Sequence, residues 1–61
     1  MITDTEKRVL TLIAEGMTKH QVAKALYISE GTVRTHCESI RKKLKSRTMA
    51  QAVYEYFRGK E

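Results

Sequence analysis

The sequence of 61 residues contains no proline, no tryptophan, three glycines and one cysteine. Without proline, the chain lacks the residue that most strongly breaks helices. The lone Cys37 excludes an intramolecular disulfide, and two histidines without paired spacing give no recognisable set of zinc ligands. No apolar run approaches the roughly 18 residues that span a bilayer, and the N-terminus lacks the order of a signal peptide. We therefore expect one cytoplasmic domain over residues 1–61, with no metal, cofactor, membrane contact or small-molecule ligand.

Positive charge is in excess, with 12 Lys and Arg against 7 Asp and Glu and a formal charge of +5. In so short a chain this excess favours an anionic partner. Composition alone leaves nucleic acid, a membrane surface and an acidic protein open, together with an ordinary solvated surface.

Apolar residues recur at helical spacing, and no stretch alternates as a strand would. Three threonines that precede apolar helical segments are followed three residues later by Glu or Gln, which is the signature of a capping box. These pairs are Thr3 with Glu6, Thr18 with Gln21, and Thr48 with Gln51. They predict helices at about residues 4–15, over about eight residues after Thr18, and at about 49–58, while Ser29 predicts the cap of a further helix at about 29–45. Gly16 and Gly59 are the expected stops, so the fold is predicted to be all-α with four helices.

The stretch SEGTVRTHCESIRKKLKS, residues 29–46, combines an apolar stripe with a polar face. The stripe recurs at spacings of four, three and four and consists of Val33, Cys37, Ile40 and Leu44. Because successive helix residues are turned by about 100°, Arg34, Thr35 and Glu38 lie together on a face that points away from the stripe. A short helix, a tight turn and a longer basic helix follow the order of a helix-turn-helix, whose second helix enters the major groove of DNA.

These residues resemble the helix-turn-helix domain of LuxR-type transcriptional regulators, also called NarL/FixJ-type or GerE-like. The matching stretch is LTLIAEGMTKHQVAKALYISEGTVRTHCESIRKKL, residues 10–44, with further matches at Glu6, Val9 and the pair AV at 52–53. The resemblance covers nearly the whole chain. It implies a DNA-binding domain with a three-helix core and a C-terminal dimerisation helix, which usually sits behind a receiver or ligand-binding domain.

The resemblance also implies which side chains meet DNA. Its base-reading positions correspond to Arg34, Thr35 and Glu38, and its phosphate-contacting positions correspond to Ser29, Thr32, His36 and Lys43. An arginine in the groove can bond guanine O6 and N7 together. Glu38 replaces the common Lys, Arg or Asn; it can accept a hydrogen bond from cytosine N4, pair with Arg34 or Lys42, or repel phosphate.

A further departure from the family lies in the loop before the last helix. Lys45, Ser46 and Met49 replace the Gly, Val and Arg common in the family's loop before the last helix.

The neighbours His36 and Cys37 point about 100° apart, and no second thiol or acid completes a metal or catalytic site, so we expect Cys37 to be a core residue.

The last helix is apolar on more than one face, which usually indicates a second partner. We expect Ala50, Tyr54 and the outer edge of Phe57 to form a dimer interface, since the family commonly pairs through this helix. A symmetric homodimer, formed in solution or only on DNA, would read inverted half-sites about 10 bp apart.

Two alternatives stay open from the sequence. One is a module like region four of bacterial sigma factors, although a capped last helix is unusual there. The other is a stand-alone interaction module that antagonises a full-length regulator through its last helix. An enzyme is not expected, because the sequence shows no nucleophile with a base, no metal set and no phosphate loop.

Overall fold

A computed structural model, which describes residues 1–59, contains four helices. They are α1 (Asp4–Ala14), α2 (Lys19–Leu26), α3 (Glu30–Lys43) and α4 (Met49–Arg58). Residues 1–59 contain no strand, so the all-α prediction is confirmed. The helices begin within one residue of the predicted positions, while α1 and α3 end one or two residues early. None of the helices in this range is long and apolar enough to cross a membrane.

Each predicted cap residue lies at the start of its helix, but one of the three predicted capping boxes is incomplete. At α1 the Thr3 hydroxyl accepts from the Glu6 amide at 3.1 Å, and the Glu6 carboxylate accepts from the Thr3 amide at 2.9 Å. The Thr18 box at α2 is equally complete. At α4 the Thr48 hydroxyl accepts from the Gln51 amide, but the Gln51 side chain accepts from the Arg47 amide instead of completing the box. The Thr48 backbone is more extended there, with φ of −131° against −79° at Thr3.

Three helices end in the same left-handed backbone stop, known as a Schellman motif. After α1, Gly16 has φ of +96°, and the Met17 amide donates back to the Leu12 carbonyl. The other two stops use residues with a Cβ, namely Tyr27 (φ 59°) after α2 and Lys45 (φ 52°) after α3. The stop predicted at Gly16 is confirmed; α4 does end before Gly59, but with right-handed backbone there.

The core lies where α1, α2 and α3 meet, and α4 closes one side of it. The buried apolar residues are Val9, Leu10, Val22, Ala23, Val33, Cys37, Ile40 and Ala52. Three of the four predicted stripe residues are fully buried, whereas Leu44 is only partly buried against the core. Within the described chain, α2 packs on both α1 and α3. Helix α4 also packs on α1 and α3, but it does not pack on α2. This arrangement leaves the outer face of α3 uncovered.

Candidate nucleic-acid interface

The turn between α2 and α3 sets the direction of α3. It spans only three residues, 27–29, between Leu26 and Glu30. Ile28 packs partly buried against the core, and the Ser29 hydroxyl caps α3 by accepting from the Thr32 amide at 3.0 Å. Ala23 is 4% exposed, and its small side chain suits a close approach of two helix backbones. The turn and the packing of α2 against α3 therefore set the position of the N-terminal end of α3.

The three predicted base-reading side chains lie on the solvent side of α3. Arg34, Thr35 and Glu38 are all exposed, while the stripe on the other side is buried. Within residues 1–59, neither Arg34 nor Glu38 belongs to an ion pair, so the helix pair considered for Glu38 is not formed. The Thr35 hydroxyl donates to the Gly31 carbonyl at 3.1 Å. This bond fixes the hydroxyl against the helix backbone.

Two hydroxyls lie at the start of α3 among the predicted phosphate contacts. Ser29 and Thr32 are exposed, and their hydroxyl oxygens are 2.9 Å apart, with either able to donate to the other. Whichever one donates, the other hydroxyl keeps its proton for an outside acceptor. A DNA phosphate oxygen is such an acceptor.

A pair that the sequence analysis did not identify joins the starts of α2 and α3. His20 Nδ1 lies 2.7 Å from Glu30 Oε2, with both side chains more than half exposed. The carboxylate of Glu30 in the first turn of α3 suits the positive end of the helix dipole. The only sequence signal was an acidic residue after the Ser29 cap, and nothing in the spacing of ten residues indicated its histidine partner.

The pair His36 and Cys37 separates as predicted. His36 is partly exposed at the edge of the outer face, and Cys37 is fully buried in the core. Burial raises the pKa of the Cys37 thiol, which keeps it protonated. Over the described residues, no three side chains of His, Cys, Asp or Glu form a group that could hold a metal ion.

Lys43 has an internal partner that the sequence analysis missed. Its ammonium lies 2.8 Å from Oε1 of Glu6, a carboxylate in a residue that is 3% exposed. Burial opposes ionisation of Glu6, but hydrogen bonds from Lys43, the Thr3 amide and Ser39, with the Lys43 charge, outweigh it and lower the pKa to about 2. The phosphate contact of Lys43 stays a prediction. The structure gives the same side chain a role in holding α3 to α1.

Other cations surround the C-terminal end of α3. Lys42, Lys45 and Arg47 are exposed and Arg41 is partly exposed. In the part of the chain that the structure describes, none of the four is in an ion pair. We call these four residues the basic cluster. Unpaired cations beside an exposed helix face provide the charge that attracts a polyanion.

The outer face of α4 carries exposed apolar surface. Tyr54 is 63% exposed and Ala50 is exposed, while Phe57 is partly buried and stacks edge-on against Tyr56 with ring centroids 5.0 Å apart. The Arg58 guanidinium lies 5.9 Å from the Tyr54 ring centroid. Ala50 and Tyr54 are therefore exposed on the outer face of α4, whereas Phe57 packs partly buried against the core.

The structure has a short helix, a three-residue turn and a second helix with an exposed face and the basic cluster at its end. This arrangement defines a helix-turn-helix DNA-binding domain. The chain belongs to the luxR family of bacterial regulatory proteins, whose model matches residues 1–55. The resemblance seen in the sequence is thereby confirmed. Members of this family are DNA-binding regulators and not enzymes, which agrees with the expectation from the sequence.

Relatives in several bacteria show the same similarity. The chain is 36% identical over 53 residues to the probable csgAB operon transcriptional regulatory protein of Salmonella typhimurium. It is 39% identical over 57 residues to the response regulator protein VraR of Staphylococcus aureus. These matches cover 87% and 93% of the chain but only 24% and 27% of the relatives. The chain therefore spans about a quarter of their length.

Proposed function

We propose that this chain binds double-stranded DNA in a sequence-specific way, with α3 in the major groove, and thereby regulates transcription. The observation that carries the proposal is the outer face of α3. Arg34, Thr35 and Glu38 are exposed there, have no part in the core, and follow the turn that aims a second helix into DNA. Such a role would place the chain in the cytoplasm, with the DNA.

Each of the three side chains suits a particular base edge. Unpaired Arg34 is free to donate two hydrogen bonds to guanine O6 and N7. Thr35 has its hydroxyl turned to the backbone of α3, which leaves its methyl group for a thymine methyl. Unpaired Glu38 is an acceptor for the cytosine N4 amino group. These pairings predict a half-site that contains G·C and A·T pairs in close succession.

Phosphate contacts would frame the base contacts on both sides. Ser29 and Thr32 supply hydroxyls at the start of α3, and His36 lies at the edge of the same face. The basic cluster supplies charge at the other end of α3, with Lys43 adding to it from its partly exposed position. Because these cations would replace counterions on DNA, binding should weaken steeply as salt rises.

We further propose that two copies pair through α4 on DNA. Ala50 and Tyr54 leave apolar surface outside the core, and Phe57 borders it. Isologous pairing through one helix buries little area, so the dimer is expected to form on DNA more readily than in solution. The operator would then contain inverted half-sites about 10 bp apart, centre to centre.

The test is selection of duplexes from a random DNA library with the purified chain, followed by affinity measurements on the selected duplex and a scrambled one. The expected result is an enriched inverted repeat, bound at least about a thousandfold more tightly than the scrambled duplex. Equal affinity for both duplexes would contradict sequence-specific reading. Absence of any DNA binding, together with pairing to a full-length regulator, would instead support the antagonist module.

A further inference from the structure

Tyr27 combines a disfavoured backbone with a free aromatic side chain. It adopts φ 59° and ψ 42°, a left-handed conformation that residues with a Cβ avoid. Tyr27 is one of the large apolar residues that lie on the surface, and it is 94% exposed. Residues held in such backbone regions are often tied to a functional contact.

The fold uses the backbone of Tyr27 and not its ring. The Tyr27 amide donates to the Lys24 carbonyl at 3.3 Å, and the Ile28 amide donates to the Ala23 carbonyl at 3.0 Å. The same stop after α1 is made by Gly16, with no side chain at all. Glycine at position 27 would therefore end α2 equally well and with less strain.

The position of Tyr27 points to what its ring contacts. Ile28 turns its side chain to the core, whereas Tyr27 and Ser29 on either side of it are exposed. Two residues along a chain span at most about 7 Å, so the Cα atoms of Tyr27 and Ser29 lie within that distance of each other at the start of α3. Ser29 is one of the phosphate contacts of the proposed function.

We propose that the Tyr27 phenol donates a hydrogen bond to a DNA phosphate beside the one that Ser29 meets. The inference rests on the proposed function, since it adds a contact to the same DNA-bound state. Tyrosine hydroxyls are among the groups that commonly bond phosphate oxygens. Because a phosphate carries no sequence information and a phenol carries no charge, this contact should add affinity on every duplex without changing the salt dependence.

Tyr27→Phe removes only the hydroxyl and keeps the backbone strain. We expect the Kd to rise about tenfold on the selected and the scrambled duplex alike, as for a lost hydrogen bond to a charged group. The melting temperature and the slope of log Kd against log salt should stay as in the wild type. Tyr27→Gly should raise the Kd at least as much, and it should raise the melting temperature by about 4–8 °C because it relieves strain.

Lys45→Gly is the matched comparison, because Lys45 has the same left-handed backbone and is also exposed. It should raise the melting temperature similarly, but it should lower the salt slope by about 1 because a cation is lost. Unchanged salt dependence in both Tyr27 variants, beside a lowered slope in Lys45→Gly, supports a neutral phosphate donor.

Wild-type affinity of Tyr27→Phe on both duplexes overturns the inference, whatever the glycine variant does. A lower melting temperature of Tyr27→Gly overturns it as well, because the ring would then serve the fold. Failure of the wild-type chain to prefer the selected duplex contradicts sequence-specific reading alone, since the Tyr27 contact is measured on any duplex. Failure to bind DNA at all overturns both proposals.

Discussion

Lys43 Nζ on α3 and Glu6 Oε1 on α1 lie 2.8 Å apart. The two residues are 37 positions apart in sequence, and their contact joins the two helices. The carboxylate is nearly buried, with its side chain 4% exposed, while the lysine side chain is 32% exposed. A buried charge that loses its partner is strongly destabilising, whereas an exposed pair contributes little. This pair therefore has a larger effect on stability than the other ion pairs of the described chain.

The first prediction concerns this pair. Lys43→Met should lower the free energy of unfolding by about 2–3 kcal/mol, somewhat less than for a fully buried pair because water reaches the lysine. Glu55→Gln is the matched control; it breaks the exposed pair between Glu55 and Arg58 and should cost about 0.5 kcal/mol or less. Urea denaturation at pH 7 measures both. Equal small losses would show that Lys43 and Glu6 are not coupled.

The second prediction is the pH dependence that Glu6 imposes. Its pKa falls from 4.5 to about 2 on folding, so the stabilisation is complete above pH 4.5 and is lost as pH falls towards 2. At pH 7 this shift corresponds to about 3 kcal/mol, of which about 2 kcal/mol should be lost by pH 3. Glu6→Gln should be less stable at pH 7 and should lose less stability between pH 6 and 3. Parallel curves for both proteins would contradict the lowered pKa.

The third prediction separates base reading from phosphate contact. Arg34→Ala should weaken the selected duplex by roughly 1–3 kcal/mol and relax specificity, with a smaller effect on scrambled DNA. Lys43→Ala should weaken both duplexes similarly and lower the salt slope by about 1, measured where the variant is shown to be folded. Lys7→Ala, which removes a charge from the exposed surface of α1, is the control and should change neither. Equal losses on both duplexes for Arg34→Ala would refute its assignment.

The fourth prediction ranks two residues of the α3 stripe. Ile40 is fully buried, so Ile40→Ala should cost roughly 2–5 kcal/mol and unfold much of so small a domain. Leu44 is partly buried at the end of α3, so Leu44→Ala should cost less than Ile40→Ala. Thermal melts of both variants give the order. A melting temperature of Leu44→Ala equal to that of the wild type would remove Leu44 from the core.

The fifth prediction tests pairing through α4. Tyr54→Glu places a charge on the exposed apolar face of α4 and should abolish cooperative binding to a duplex with two half-sites. Affinity for a single half-site should change little, because α3 is untouched. Stoichiometry and cooperativity on one-site and two-site duplexes, measured for wild type and variant, decide the matter. Independent binding by both proteins with equal affinity would mean that α4 is not the dimer interface.

The sequence by itself determined the helices and which face of α3 is buried. Thr3, Thr18, Ser29 and Thr48 each cap a helix, because a cap depends only on residues three positions away. The stripe of α3 is equally local, since helical geometry turns a spacing of three and four into one face. Arg34, Thr35 and Glu38 are exposed for the same reason. What they bind stays a prediction.

The tertiary structure decided what depends on residues distant in sequence or on the exact path of the chain. The sequence identifies Glu6 only as the second member of a capping box. The packing of α1 against α3 is what brings Lys43 to its buried carboxylate. Glycine marks the left-handed stop at Gly16, but the stops at Tyr27 and Lys45 have no such signal in the sequence, because both residues carry a Cβ. Spacing likewise put Leu44 in the core stripe, but its place in the last turn leaves it only partly covered. Local hydrogen bonds are encoded in neighbouring residues, whereas burial and ion pairing between helices arise only when the helices pack together.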